Sequence, residues 1–266
     1  MNNKKFIFIL LDAFRSDYIN KNNTPFLNSL KKKSIYYKQV NPSIGFCERS
    51  EIFTGKKSLE LGLLTAINLS DESPYKRIKN FNILIYYLLK IFNFTIFDKI
   101  TRRVLWKYSK LIGKPMHPQN IPLNKLHLFG LTEDKKKYSE KNNYKFKTIF
   151  DLAREKNISI NSKIFTSLNY VTNFSEEKRI QILFNTIHEY DMFLLYLDEA
   201  DRIGHSYGPD SKEILHSCLS IDNKIKRINE YLKKNLKNYE LLIVGDHGME
   251  KVNHEYDIIN KLNLIF

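Results

Sequence analysis

The chain reads as an α/β protein with a mostly parallel central sheet and helices on both faces. Three observations predict this. Short apolar runs rich in β-branched or aromatic residues, Phe6 to Leu11, Met192 to Leu197 and Leu241 to Val244, each end in or just before acids rather than in hairpin turns. Amphipathic stretches with helix start signals lie between the runs. The 266 residues suit one large α/β domain with a sizeable core, and no internal repeat or low-complexity linker divides them.

The first strand spans about 6 to 11, follows Lys4-Lys5 and stops at Asp12. Its apolar run is too short for a signal peptide and has no small-residue cleavage site, so it reads as a buried strand. Thr24-Pro25 then opens a helix over about 25 to 32, with Thr24 as N-cap and proline at the first helical position. Ser34 to Val40 reads as a second extended segment leading into Asn41-Pro42-Ser43-Ile44-Gly45. A helix begins near Phe46 and runs to Phe53, before Gly55 stops it.

From about 75 to 140 the character changes. Asn80 to Phe94 is apolar but interrupted by Lys90, and the basic stretch Lys99 to Lys110 with Trp106 follows. The apolar run is shorter than the ~20 residues of a bilayer span. A mainly helical insertion over the functional edge of the sheet is expected, one that buries Leu84, Leu88 and Ile91 against the main domain. The alternative is a basic amphipathic surface making peripheral membrane contact with anionic lipid through about 80 to 110. Lys135-Lys136-Lys137 reads as a solvated loop.

The α/β rhythm then returns. Phe146 to Lys156 reads as a helix, Ile158 to Phe165 as a strand, Ser175 to Tyr190 as a helix capped by Ser175, and Met192 to Leu197 as a buried strand. Ser211 to Asn235 is a long amphipathic helix with Ile214, Ile221, Ile225, Ile228 and Leu232 on or near one face. It leads back to the last strand, which also reads as buried. The whole is expected to be a single domain, 1 to 266, with the insertion at about 75 to 140.

Composition narrows the partners. Lys and Arg number 43 against 29 Asp and Glu, a net charge of +14, which suits anionic partners such as phosphate esters or an acidic membrane surface. The lysines are spread along the chain without an arginine-rich or aromatic-interleaved stripe, so nucleic-acid binding is not expected. Cys47 and Cys218 are the only cysteines and form no disulfide framework; a reducing, cytoplasmic compartment is the expectation.

The chemistry lies at the strand ends. Asp12 follows the first strand, Asp201 and His205 follow the strand at 192 to 197, and Asp246 and His247 follow the last. Parallel strands present their carboxyl ends on one edge, so these five side chains can converge although far apart in sequence. A lone aspartate is often a helix cap and a lone histidine a core residue, but that account must hold at three strand ends at once. Carboxylate oxygen and imidazole nitrogen are ordinary zinc ligands, and two ions ~3.5–4 Å apart can clamp the attacking and leaving oxygens of a displacement at phosphorus.

The motifs around these residues resemble the type I phosphodiesterase and nucleotide pyrophosphatase family of the alkaline phosphatase superfamily. Asp198-Glu199-Ala200-Asp201-Arg202-Ile203-Gly204-His205-Ser206-Tyr207-Gly208-Pro209 is similar to a family segment in which an aspartate, Gly-His and Tyr-Gly-Pro follow one another. Asp246-His247-Gly248-Met249 resembles its Asp-His-Gly-Met, and Asp12 its first metal-binding aspartate. Arg15-Ser16-Asp17-Tyr18, Thr24-Pro25-Phe26-Leu27 and Phe53-Thr54-Gly55 fit the same pattern, which covers about 6 to 62 and 140 to 262. The resemblance implies an alkaline-phosphatase-like fold and two divalent metal ions, zinc or else manganese. One would be held by Asp12, Asp246 and His247, the other by Asp201 and His205. It implies metal-dependent hydrolysis of a phosphodiester or phosphomonoester, with sulfate esters as a less favoured substrate class.

Two departures accompany it. Counting back from Thr54-Gly55, the family's nucleophile position falls on Gly45, which has no side chain. Its neighbours are Ser43 and Cys47. Cys47 would lie in the first turn of a helix, where the dipole lowers a thiol's pKa, or it is simply a small buried hydrophobe; Ser43 would need a metal to activate its hydroxyl. The family also supplies a further histidine downstream of Asp-His-Gly-Met, whereas His254 is the only later histidine here and reads as a surface residue. A truncated member, acting as a non-catalytic ligand- or partner-binding protein, is the competing expectation.

Overall fold

The computed structural model describes residues 4–39, 48–92, 95–118, 121–132, 138–142, 144–165 and 174–254. In chain order the elements are β1 (Lys5–Leu11), α1 (Pro25–Lys31), α2 (Glu48–Thr54), α3 (Ser58–Leu61), β2 (Ile67–Leu69), α4 (Lys79–Phe92), α5 (Thr95–Leu111), β3 (Phe129–Leu131), α6 (Ile149–Glu155), β4 (Ile160–Asn161), α7 (Glu176–Thr186), β5 (Met192–Leu197), α8 (Glu199–Tyr207), α9 (Lys212–Asn235) and β6 (Tyr239–Gly245). They form two compact units, 1–40 with 174–266, and 41–173.

In the first unit β1 lies between β5 and β6 and runs parallel to both. Leu11 pairs with Leu197 on one side and Gly245 on the other, so all three strands end level. The predicted parallel α/β class is therefore the one observed. All six residues of β5 are buried, as a strand covered on both faces requires. The last strand differs from expectation: its burial alternates, and Leu242 is 44% exposed. Among the described residues β6 pairs with β1 alone, and the strand presents one face to solvent. Helix α9 buries Ile214, Ile221, Ile225, Ile228 and Leu232 and packs on α1 and α8.

Helix starts follow the predicted chemistry with one exception. Ser175 and Ser211 accept hydrogen bonds from the N–H of Lys178 and Ile214, as N-caps do. Thr24 does not cap α1; its hydroxyl donates to the Tyr18 carbonyl. The free amides of Phe26 and Leu27 donate to the Asp222 carboxylate of α9, at 2.9 and 2.8 Å. A carboxylate borrowed from another helix does the work expected of the local threonine, because a helix N-terminus favours negative charge.

The second unit has its own small core, Tyr75, Leu105, Met116, Leu123 and Leu126, against which Ile85, Tyr86 and Leu89 of α4 pack. A short antiparallel pair, β2 with β3, accompanies the helices, so the insertion region is helical with a small sheet. Phe53 of α2 meets Tyr138, Phe150 and Phe165 in a separate aromatic cluster. Three expectations are corrected here. The described residues of the segment from Ser34 form no strand; they are mostly exposed, and exposed backbone has no neighbouring strand to pair with. The strand expected over 158 to 165 is limited to Ile160–Asn161. Leu84, Leu88 and Ile91 are exposed by 58%, 41% and 72% rather than buried. The inner face of α4 is instead built from the residues between them, a quarter to a half turn away.

Candidate metal centre

Because β1 and β6 end in register, Asp12 and Asp246 leave the sheet side by side. The N–H of Asp12 donates to the Leu197 carbonyl, which pins the start of the turn after β1 to the end of β5. Ala13 next adopts a left-handed conformation, φ +54°, which costs an L-residue about 1 kcal/mol. That conformation directs its N–H to Asp246 Oδ1, 3.1 Å away. The same oxygen accepts the N–H of His247 at 2.8 Å.

Asp12, Asp246 and His247 each offer one ligand atom to a group in which all such atoms lie within 4.8 Å of one another. His247 Nε2 stands 3.2 Å from Asp12 Oδ1 and 3.9 Å from Asp246 Oδ1. A tetrahedral zinc ion with bonds of about 2.0–2.1 Å separates its ligands by about 3.4 Å, so the observed spacings fit a single ion. The hydrogen bond to Asp12 raises the imidazole pKa to about 9, against the opposing effect of burial; the Asp246 carboxylate and the Gly248 carbonyl add to the rise. Metal binding displaces the proton from such a nitrogen.

Two partners orient these ligands. The Tyr196 hydroxyl donates to Asp12 Oδ2. His247 Nδ1 lies 3.0 Å from the Gly248 carbonyl, so Nδ1–H donates there and Nε2 is left for a metal. Neither partner was legible in the sequence. Tyr196 is one of several large residues in a buried strand, and a backbone carbonyl leaves no mark on residue identity.

Asp201 and His205 sit on α8, one helical turn apart, with His205 Nε2 3.2 Å from Asp201 Oδ1. The i, i+4 spacing places both on one face of the helix. Burial raises the Asp201 pKa, as does the nearby Asp12 charge, while His205 and His247 counter the rise; Asp198 adds to it. Asp201 is therefore electrostatically part of the same edge. Among the described residues the group close enough to share one ion consists of the other three. Ser43 and Cys47 lie outside the described residues, and His254 is exposed.

The start of α8 is held by a buried ionic clamp. Glu176 Oε1 accepts the N–H groups of Asp198 and Glu199 at 2.6 and 2.7 Å, capping the helix from α7. Lys224 of α9 donates to Glu176 Oε2 and Glu199 Oε2, and Arg179 donates to the Tyr196 carbonyl at 2.9 Å. The turn after α8 is tied by Arg15, which reaches Asp17 at 2.6 Å, Asp210 at 3.1 Å and the Met249 carbonyl at 3.3 Å. Tyr18 donates to the Pro209 carbonyl at 2.7 Å. Gly204 and Gly245 are packing positions. A Cβ on Gly204 would stand 2.8 Å from Met249 Sδ, and one on Gly245 2.6 Å from the Phe14 carbonyl oxygen. Cys218 is buried in α9 with its thiol pushed up to about 12 by burial, an inert core residue.

Parts of the chain are similar to known proteins. A venom phosphodiesterase (CdcPDE) of Crotalus durissus collilineatus is 42% identical over 65 residues, 24% of this chain and 8% of that protein. Human ectonucleotide pyrophosphatase/phosphodiesterase family member 1 is 38% identical over 72 residues, 26% of this chain and 8% of its own length. GPI ethanolamine phosphate transferase 2 of Schizosaccharomyces pombe is 39% identical over 72 residues, 25% of this chain and 10% of its own. The matches thus span about a tenth of the length of these relatives. The sequence pattern of one family extends much further along this chain, over residues 97–265. With that match, an α/β fold and Asp12, Asp246 and His247 gathered at the ends of adjoining parallel strands, the chain belongs to the type I phosphodiesterase / nucleotide pyrophosphatase family.

Proposed function

We propose that the chain is a metal-dependent hydrolase of phosphate esters, phosphodiesters before phosphomonoesters, working with two divalent ions, zinc or manganese. The observation that carries this reading is the convergence of Asp12, Asp246 and His247 at one sheet edge with spacings that suit one ion. In this reading those three hold the first ion, and Asp201 with His205 hold the second. When bound, the ions supply Lewis-acid polarisation of the phosphoryl oxygens and neutralise charge in the displacement.

The chain's own groups do the rest. Tyr196 fixes the Asp12 carboxylate so that Oδ1 faces His247, and the Gly248 carbonyl holds the imidazole in the tautomer that leaves Nε2 available. The Ala13 and His247 amides hold Asp246 Oδ1. The nucleophile of the proposal is Cys47, Ser43 or a water molecule, as the sequence around Gly45 allows. Crowded carboxylates at this edge, Asp12, Asp198, Asp201 and Asp246, make a site whose charge a divalent cation balances.

The test is turnover of bis-p-nitrophenyl phosphate with added zinc or manganese, set against an Asp246→Ala, His247→Ala double variant. Hydrolysis by the parent that the double variant loses is the expected result. Equal rates in the two proteins would end the enzymatic reading, and metal binding without turnover would favour a ligand-binding role.

A further inference from the structure

Helices α4 and α5 carry two apolar faces each, of which one packs on a core and the other is exposed among the described residues. In α4 the inner residues Ile85, Tyr86 and Leu89 pack on the core of the second unit. The opposite face is Phe81, Leu84, Tyr87, Leu88 and Ile91, at spacings of three, three, one and three residues, and all are exposed, by 41% to 72%. These positions form one stripe of an α-helix. In α5 the buried side is marked by Leu105, while Ile96, Ile100, Val104 and Leu111 form an exposed stripe, by 48% to 87%. Exposed apolar rows of this kind mark interaction sites.

The charges beside the stripe indicate what covers it. Lys99, Arg103, Lys107 and Lys110 follow one another at spacings of four, four and three residues along the flank of the α5 stripe, and all are exposed. Across the two helices seven basic residues stand against one acid, Asp98, and that acid is engaged at 2.7 Å by Arg102. Among the described residues no helix is long and apolar enough to cross a membrane. Apolar rows bordered by a basic row are the pattern of helices that lie in the plane of an anionic interface, with the long cationic side chains reaching the headgroups.

We infer that the outward faces of α4 and α5 form a docking surface for a lipid bilayer containing anionic phospholipids. The apolar stripes enter the headgroup boundary and Lys99, Arg103 and Lys107 engage the lipid phosphates. Each basic residue near such a surface strengthens binding about fivefold.

The whole chain is sedimented with vesicles of phosphatidylcholine alone and of phosphatidylcholine with phosphatidylglycerol, at moderate and at high salt. Binding is expected to the anionic vesicles, with a fraction that survives high salt because apolar insertion resists screening. Leu84→Glu with Val104→Glu, both substitutions at side chains more than half exposed, should abolish that fraction while far-UV circular dichroism stays unchanged. The set Lys99→Gln, Arg103→Gln, Lys107→Gln should weaken binding about a hundredfold and leaves the apolar faces intact. The inference is overturned if the parent stays in the supernatant of anionic vesicles, or if both variant sets bind as the parent does. It is also overturned if the parent is a dimer that the glutamate substitutions dissociate and no vesicle binding is seen, because a second copy then covers the surface.

Discussion

Replacing Lys224 by methionine removes the cation that bridges Glu176 and Glu199 in the clamp that holds α8. Lys224 lies between Glu176 and Glu199, and the three side chains are 13%, 7% and 18% exposed, so solvent screens the cluster little. Breaking a buried pair by deleting one partner costs about 3–5 kcal/mol, because the other charge stays buried without compensation. The Glu199 carboxylate keeps a hydrogen bond from Ser220, 3.0 Å away, and Glu176 keeps two backbone amides, which places the expected loss near the lower end, about 3 kcal/mol. The loss depends on pH. Burial raises the Glu176 pKa, and in the parent Lys224 opposes that rise by hydrogen bond and charge; Asp198 reinforces it. Without Lys224 the folded pKa moves further above the unfolded value, so the folded state binds the extra proton. The variant is then least stable above the folded pKa and regains stability as pH falls through it toward the unfolded pKa. Urea unfolding followed by far-UV circular dichroism at pH 7.5 and pH 5 would measure both effects, those two pH values being about one to three units above an ordinary carboxyl pKa. Adding Glu176→Gln, which retains the acceptor oxygen at the α8 amides, should restore part of the loss. A loss below about 1 kcal/mol, or one equal at both pH values, would refute the view that a buried ionic clamp positions α8.

Other expected outcomes concern single contacts. Tyr196→Phe removes the hydroxyl that orients Asp12 and should weaken zinc binding roughly tenfold or more by isothermal titration calorimetry, with little change in fold. Gly245→Ala forces a Cβ to within 2.6 Å of a backbone oxygen that cannot swing away, and thermal unfolding should show a loss of about 1–3 kcal/mol. Asp222→Ala leaves the amides of Phe26 and Leu27 without their cap, and denaturant unfolding should show about 1–2 kcal/mol of destabilisation.

The amino-acid sequence by itself determined the strands that matter and the residues at their ends. Runs such as Phe6 to Leu11 and Met192 to Leu197 fold as strands because local apolar density, with aromatic rings in both and isoleucine in the first, is a property of neighbours in sequence. Once the strands are parallel, Asp12 and Asp246 must leave the sheet on the same edge, so their meeting was legible before any coordinates. Tertiary structure alone decided which groups steady them. Tyr196 reaches Asp12 across 184 positions, and Asp222 caps α1 across 196, separations over which no local propensity acts. The same holds for Gly204 against Met249 and for the Glu176, Lys224 and Glu199 clamp, where composition shows charges but not their burial. It holds for the outward faces of α4 and α5 as well. Periodicity shows that a helix has an apolar side, but when residues on both sides are apolar only packing decides which one the core takes, and here Ile85, Tyr86 and Leu89 were taken and Leu84, Leu88 and Ile91 were left.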